Sequence, residues 1–154
     1  MAATQTRDIA ATLEQVRILE RAGADLIRIA IDNDKDVEAL KEIRKHTQAR
    51  LSVDLQENFL LAEKIAPFID KIRYNPGHLH HLKKDWSIPE KVRWLVEIAK
   101  KNNLAVRIGV NCGSIAPDFL EKYPDHSQAI VESAVYHCGL MDQLDFKNYV
   151  VSLK

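Results

Sequence analysis

The sequence predicts an α/β fold with a parallel sheet of about five strands, and three observations carry that prediction. Short apolar runs with a repeat of two alternate with longer stretches whose apolar residues recur at helical spacing. This helix–strand rhythm repeats five times along 154 residues. Strands separated by helices form βα units, and such strands lie parallel. The third observation is composition. A hydrophobic content of 46% and a charged content of 29% suit one globular domain with its own core.

Each element has a local reason. Thr6 is the expected N-cap of a first helix with Ile9, Leu13, Val16 and Leu19 inward, and Gly23 ends it. A strand over 26–30 follows. Asp34 is the expected cap of a second helix carrying Val37, Leu40 and Ile43, and a strand over 51–55 comes next. A third helix over 57–66 holds Phe59, Leu60, Leu61, Ala62 and Ile65 and stops before Pro67. The strand over 69–74 runs into Asn75-Pro-Gly77, a turn signal. His78–Trp86 reads as a polar loop with three histidines.

Ser87-Ile-Pro-Glu90 is a capping box. It opens a helix with Val92, Leu95, Val96, Ile98 and Ala99, closed by Asn102-Asn103. In the strand over 105–110, Val106, Ile108 and Val110 alternate with Arg107, Gly109 and Asn111, and the turn Cys112-Gly-Ser114 ends it. A short helix runs from Pro117 towards Tyr123. Ser127 is the expected start of a long helix with Ile130, Val131, Ala134, Val135, Cys138, Met141 and Leu144 on its apolar face. A strand over 149–153 comes last.

The chain opens on a helix and closes on a strand. A closed eight-stranded α/β barrel needs ~250 residues. An open sheet complete in itself and a piece of a barrel are both compatible with the pattern, and the abrupt ends favour the piece. The expectation is a partial TIM-type (β/α) barrel, residues 1–154 as one domain, lacking the first strand and the last units.

Composition also excludes. Lys+Arg and Asp+Glu number 22 each, so no global field favours nucleic acid or membrane, and any anion site must be local. Two cysteines, Cys112 and Cys138, supply neither a metal cluster nor a disulfide framework, and a reducing, cytoplasmic setting fits. No apolar run approaches a membrane span, and the N-terminus lacks a secretion signal.

Barrels place their sites at the C-terminal ends of strands. Arg28, Asp54, Arg73, Asn75, Arg107, Asn111 and Lys154 fall at or near such ends, and Ser114 closes the turn after the 105–110 strand. Arginine offers a planar fork of donors that matches phosphate oxygens in pairs, and lysine adds a point charge. The set suits a phosphate or diphosphate ester. Asp54 either orients a hydroxyl or an arginine, or makes an ordinary salt bridge; both remain open here. His78, His80 and His81 lack a ligand spacing and read as a solvated loop rather than a metal site. Cys112 reads as a small packing residue of the turn, and Cys138 as core.

Several motifs follow one another in order: Thr6-Arg-Asp8, Gly23-Ala-Asp-Leu-Ile-Arg-Ile-Ala30, Asp70-Lys-Ile-Arg-Tyr-Asn-Pro-Gly77, Arg107-Ile-Gly-Val-Asn-Cys-Gly-Ser114, Leu120-Glu-Lys-Tyr123, Glu132-Ser-Ala134 and Val151-Ser-Leu-Lys154. Over essentially the whole chain this series resembles the 4-hydroxy-3-methylbut-2-enyl diphosphate synthase family of the methylerythritol phosphate pathway to isoprenoids. The resemblance implies an N-terminal barrel and a C-terminal iron–sulfur domain. It implies reductive ring opening of 2-C-methyl-erythritol 2,4-cyclodiphosphate to the allylic diphosphate with loss of water. Electrons would come from ferredoxin or flavodoxin through a [4Fe–4S] cluster.

The matching diphosphate clamp is Arg28, Arg73, Arg107, Asn111 and Lys154, and Asp54 matches an acid near the substrate. The family's three Cys and one Glu cluster ligands fall beyond residue 154, so no cluster and no turnover are expected from this chain alone. Gln56 stands where the family usually has His, and an amide carries no proton at neutral pH. Separately from the resemblance, the unclosed edge strands and uncovered face of a partial barrel should promote pairing with another chain, so a homodimer is expected, in the cytoplasm or, in a plastid-bearing organism, the plastid stroma. The residues alone leave two other readings open: a non-catalytic binding or scaffold domain, and another phosphate-ester-binding α/β barrel enzyme of the pterin synthase type.

Overall fold

The computed structural model describes residue 2 and residues 4–154. Its main elements are α1 (Ile9–Arg21), β1 (Ile27–Ala30), α2 (Asp34–Lys45), β2 (Leu51–Asp54), α3 (Ala62–Ile65), β3 (Lys71–Tyr74), α4 (Ile88–Lys101), β4 (Ala105–Val110), α5 (Pro117–Lys122), α6 (His126–Gln143) and β5 (Tyr149–Leu153). The strands form one parallel sheet in the order β1-β2-β3-β4-β5. Spatial order equals chain order. A doubly wound sheet reverses at a switch point, whereas a barrel wall does not. Of the two architectures open to the sequence, the strand order selects the partial barrel.

One face of the sheet is apolar. Ile27, Ile29, Leu51, Val53, Ile72, Tyr74, Val106 and Ile108 are buried in a single core with Val16 of α1, Leu40 and Ile43 of α2, Leu95 of α4 and Met141 of α6. The opposite face carries the charges, because successive strand residues point to opposite sides.

Helix starts differ from expectation. Asp8, Asn33 and Asp125 cap α1, α2 and α6 in place of Thr6, Asp34 and Ser127. The Thr6 hydroxyl instead donates to the Ala30 carbonyl at 2.6 Å and ties the N-terminal segment to the end of β1. Neighbouring small polar residues compete for a cap, and tertiary contacts choose among them. The capping box of α4 is present, with Ser87 and Glu90 satisfying each other's backbone amides, and Gly23 has the positive φ of a helix-ending glycine.

The stretch expected as one helix over 57–66 is broken. A 3₁₀ turn at Phe59–Leu61 precedes a single α turn, and a second 3₁₀ turn follows at Ala66–Phe68. Pro67 removes a donor at that point. The expected Asn75-Pro-Gly77 turn and the start of the expected His78–Trp86 loop together form a 3₁₀ turn, Pro76–His80, in which Pro76, Gly77 and Leu79 are buried. The buried ammonium of Lys91 on α4 holds that turn by donating to the Leu79 carbonyl at 2.7 Å.

The inward face of α6 is also shifted. Ala129, Ser133, Ala134, His137, Leu140 and Met141 are buried, whereas Val131 and Val135 are 48% and 59% exposed. Small residues let this helix lie close to the sheet, and the larger valines turn outward. Among the described residues no helix is long and apolar enough to cross a membrane.

Candidate functional site

The strand register assembles the site. Asp54 pairs with Arg73, Arg73 with Arg107, and Arg107 with Val150, so one acid and two cations stand side by side on adjacent strands. Arg28 lies one pleat earlier, opposite Ser52. All point to the polar face, since register partners in a parallel sheet share a side.

A cavity of about 380 Å³ opens on this face, lined by Arg28, Arg73, Arg107, Asn111, Ser152 and Lys154 with Val110 and Leu153. Four cations line it, three from β1, β3 and β4 and the fourth, Lys154, directly after β5. Its partner groups fix the arginines. Arg73 Nη1 donates to both Asp54 oxygens, at 2.9 and 2.8 Å, and Nη2 donates to the Gly109 carbonyl at 3.3 Å. Arg107 Nε donates to the Ser152 hydroxyl at 3.1 Å. Lys154 is held by its backbone: its amide donates to the Val110 carbonyl, and its carbonyl accepts from the Cys112 amide at 2.8 Å.

Ser152 is not singled out in the sequence, and Gly109 is read there as part of the face of Arg107 and Asn111 without being named a site residue. Both carry a signal in hindsight: they are register partners in β4 and β5, and each lies two residues from a site residue along its strand. Period-two spacing puts them on the site face.

Asn75 and Ser114 do not line this cavity. The structure joins them to each other, with Asn75 Nδ2 donating to Ser114 Oγ at 2.6 Å. Asn75 Oδ1 accepts from the Gly77 amide and Asn111 Oδ1 from the Gly113 amide, so the turns after β3 and β4 are capped in the same way. The two turns touch through glycine. A Cβ at Gly77 would collide with the Ser114 carbonyl. The NPG and NCGS stretches thus form one packed rim over the strand ends.

Three neighbouring groups complete the picture. Gln56 has a positive φ and its carbonyl accepts from His78 Nδ1 at 2.9 Å. The His78 ring stacks on His81, which pairs with Glu57. Buried Tyr74 meets His137 Nδ1 at 2.9 Å, and burial, with a smaller effect of nearby His80, drives the His137 pKa down to about 3. A larger cleft of about 450 Å³ lies apart, walled by Phe119, Tyr123, Tyr136 and His137, and none of the predicted site residues lines it.

The donor set does not fit an iron–sulfur cluster. Cys112 is exposed in the turn after β4, and Cys138 packs against the core from α6. Among the described residues no group of three or more His, Cys, Asp or Glu side chains could hold a metal ion. Guanidinium groups on one wall, with Arg73 and Arg107 oriented by Asp54 and Ser152, are chemically suited to an anion.

Comparison with known proteins identifies the family. The family described as the GcpE TIM-barrel domain matches residues 1–154. A 4-hydroxy-3-methylbut-2-en-1-yl diphosphate synthase (flavodoxin) of Rhodopirellula baltica is 60% identical over the whole chain, which covers 41% of that protein. Proteins of the same name from Nitratiruptor and Helicobacter pylori are 40% and 39% identical, again over the whole chain and 42% and 41% of theirs. The chain thus spans about two fifths of the length of these relatives. With the sequential parallel sheet and the match over its full length, the chain belongs to the GcpE TIM-barrel domain family.

Proposed function

We propose that this chain is the diphosphate-binding wall of a 4-hydroxy-3-methylbut-2-enyl diphosphate synthase, which reductively opens 2-C-methyl-erythritol 2,4-cyclodiphosphate. The observation that carries the reading is the cavity lined by Arg28, Arg73, Arg107 and Lys154 in a chain of zero formal net charge. Asp54 offsets the charge of Arg73 alone, and several cations gathered on one wall attract an anion into the space between them. Arg73 and Arg107 would clamp the diphosphate oxygens, Arg28 and Lys154 would add charge from the flanking strands, and the Asn111 amide would donate from the rim. Asp54 would act through Arg73 by fixing its orientation, and Asn75 and Ser114 by shaping the rim.

The reduction itself calls for groups other than these. A [4Fe–4S] cluster would draw its thiolate ligands from outside residues 4–154. Flavodoxin is the electron donor that suits the names of the relatives, with ferredoxin the alternative donor. Assembly as a homodimer and a cytoplasmic setting belong to the same reading.

The test is calorimetric titration of the chain with the cyclodiphosphate, inorganic diphosphate and a pterin. Preferential binding of the cyclodiphosphate, weakened by Arg107→Ala, is expected. Preference for the pterin, or no diphosphate binding, would reject the reading.

A further inference from the structure

We propose that Gly109 is a positioning residue of the anion site: its missing Cβ forms the slot in which the Arg73 guanidinium is clamped between the Asp54 carboxylate and the β4 backbone. The inference rests on the reading of the cavity as a diphosphate site, and adds a residue that touches no ligand.

The geometry is specific to one edge of Arg73. Nη1 is committed to Asp54, and Nη2 reaches the Gly109 carbonyl. The Nε/Nη2 edge lies directly over the Gly109 α-carbon. A Cβ there would stand 2.7 Å from Nη2 and 2.9 Å from Cζ, and closer still to Nε. Atoms cannot share that space. The obstacle is the far end of a flexible side chain, so an alanine would not break the strand. It would expel the guanidinium from its slot and from Asp54.

Backbone conformation does not call for glycine at this position. The positive-φ glycine of the described residues is Gly23, and Gly109 is not among the positive-φ positions. Glycine inside a strand costs about 0.5–1 kcal/mol relative to alanine. On strand energetics alone Gly109→Ala should therefore be tolerated or favourable. The residue is better understood from Arg73. Arg73 Nε is buried and has no hydrogen-bond partner among the described residues, so its edge of the guanidinium is held by the slot and not by a bond of its own.

The experiment is a double-mutant cycle read by titration with inorganic diphosphate, using the chain itself, Gly109→Ala, Arg73→Lys and the pair. Lysine has no planar group to fill the slot. Gly109→Ala should weaken binding about tenfold, the size of one charge-assisted hydrogen bond. In the Arg73→Lys background the same change should alter binding by less than about twofold. A folded Gly109→Ala protein with undiminished affinity would overturn the proposal, as would an equal loss in both backgrounds.

A second readout needs no ligand. The Arg73 Nε–H resonance should be protected from solvent exchange in the unsubstituted chain and lose protection in Gly109→Ala. If diphosphate does not bind at all, the functional reading fails, and this resonance still decides the slot. Should Gly109→Ala not fold, Asp54→Asn loosens the other jaw and must show the same loss of protection; retention would count against the clamp.

Discussion

Arg73 and Asp54 face each other across the β2–β3 register, and a single guanidinium nitrogen, Nη1, contacts both carboxylate oxygens at 2.9 and 2.8 Å. The side chains are 15% and 7% exposed. A pair this shielded depends on both members. Removing Asp54 leaves a cation in a wall already crowded with cations. Asp54→Ala should lower the unfolding free energy by about 3 kcal/mol, near the lower end for a broken buried pair. Arg73→Ala should also destabilise, and the double variant should cost less than the sum. Urea denaturation checks this, and strict additivity would contradict it.

Arg107 and Lys84 separate the site from the surface. Arg107 lines the cavity and is oriented by Ser152, whereas Lys84 sits exposed in the loop before α4. Arg107→Ala should reduce affinity for inorganic diphosphate tenfold or more, as expected from a charge-assisted contact of about 1.5–3 kcal/mol. Lys84→Ala should leave it within about twofold. Equal losses, measured calorimetrically at one ionic strength, would mean diffuse attraction rather than a formed site.

His137 makes stability depend on pH. Burial first, and the nearby His80 second, lower its pKa from 6.5 to about 3 in the folded chain. Between those values the unfolded chain binds the extra proton, so this group's contribution is present above pH 6.5 and is lost as pH falls towards 3. The slope is at most about 1.4 kcal/mol per pH unit. His137→Gln, which can still accept from the Tyr74 hydroxyl, should flatten the stability curve across this window by about one proton. An unchanged slope in urea melts would disprove the assignment.

Gly77 and Gly139 predict opposite signs for the same substitution. A Cβ at Gly77 meets the Ser114 backbone, which no rotamer change can relieve, whereas nothing lies within 4 Å of one at Gly139 on α6. Gly77→Ala should cost about 1–3 kcal/mol and pull the two rim turns apart. Gly139→Ala should stabilise the protein by about 0.5–1 kcal/mol through helix propensity. Thermal melts of both settle the comparison.

Alternation of period two and of helical spacing, both local properties, determined the βα rhythm, the strand centres and the side of each strand on which Arg28, Asp54, Arg73 and Arg107 lie. The capping box at Ser87 and Glu90 was legible for the same reason, because its partners are three residues apart. Exact caps were not, since Thr6 was drawn away by the Ala30 carbonyl, 24 residues distant. Nor was the inward face of α6, where closeness to the sheet favours Ala129, Ser133 and Ala134 over Val131 and Val135.

Only the tertiary structure decided which charges meet. Register between strands separated by whole helices is set by core packing, and a slip of one residue would turn every side chain to the other face. That register placed Asp54 beside Arg73 and Ser152 beside Gly109. It left Asn75 bonded to Ser114 rather than lining the cavity. The choice of barrel wall over doubly wound sheet has the same origin, because strand order is a relation among distant segments that no local pattern encodes.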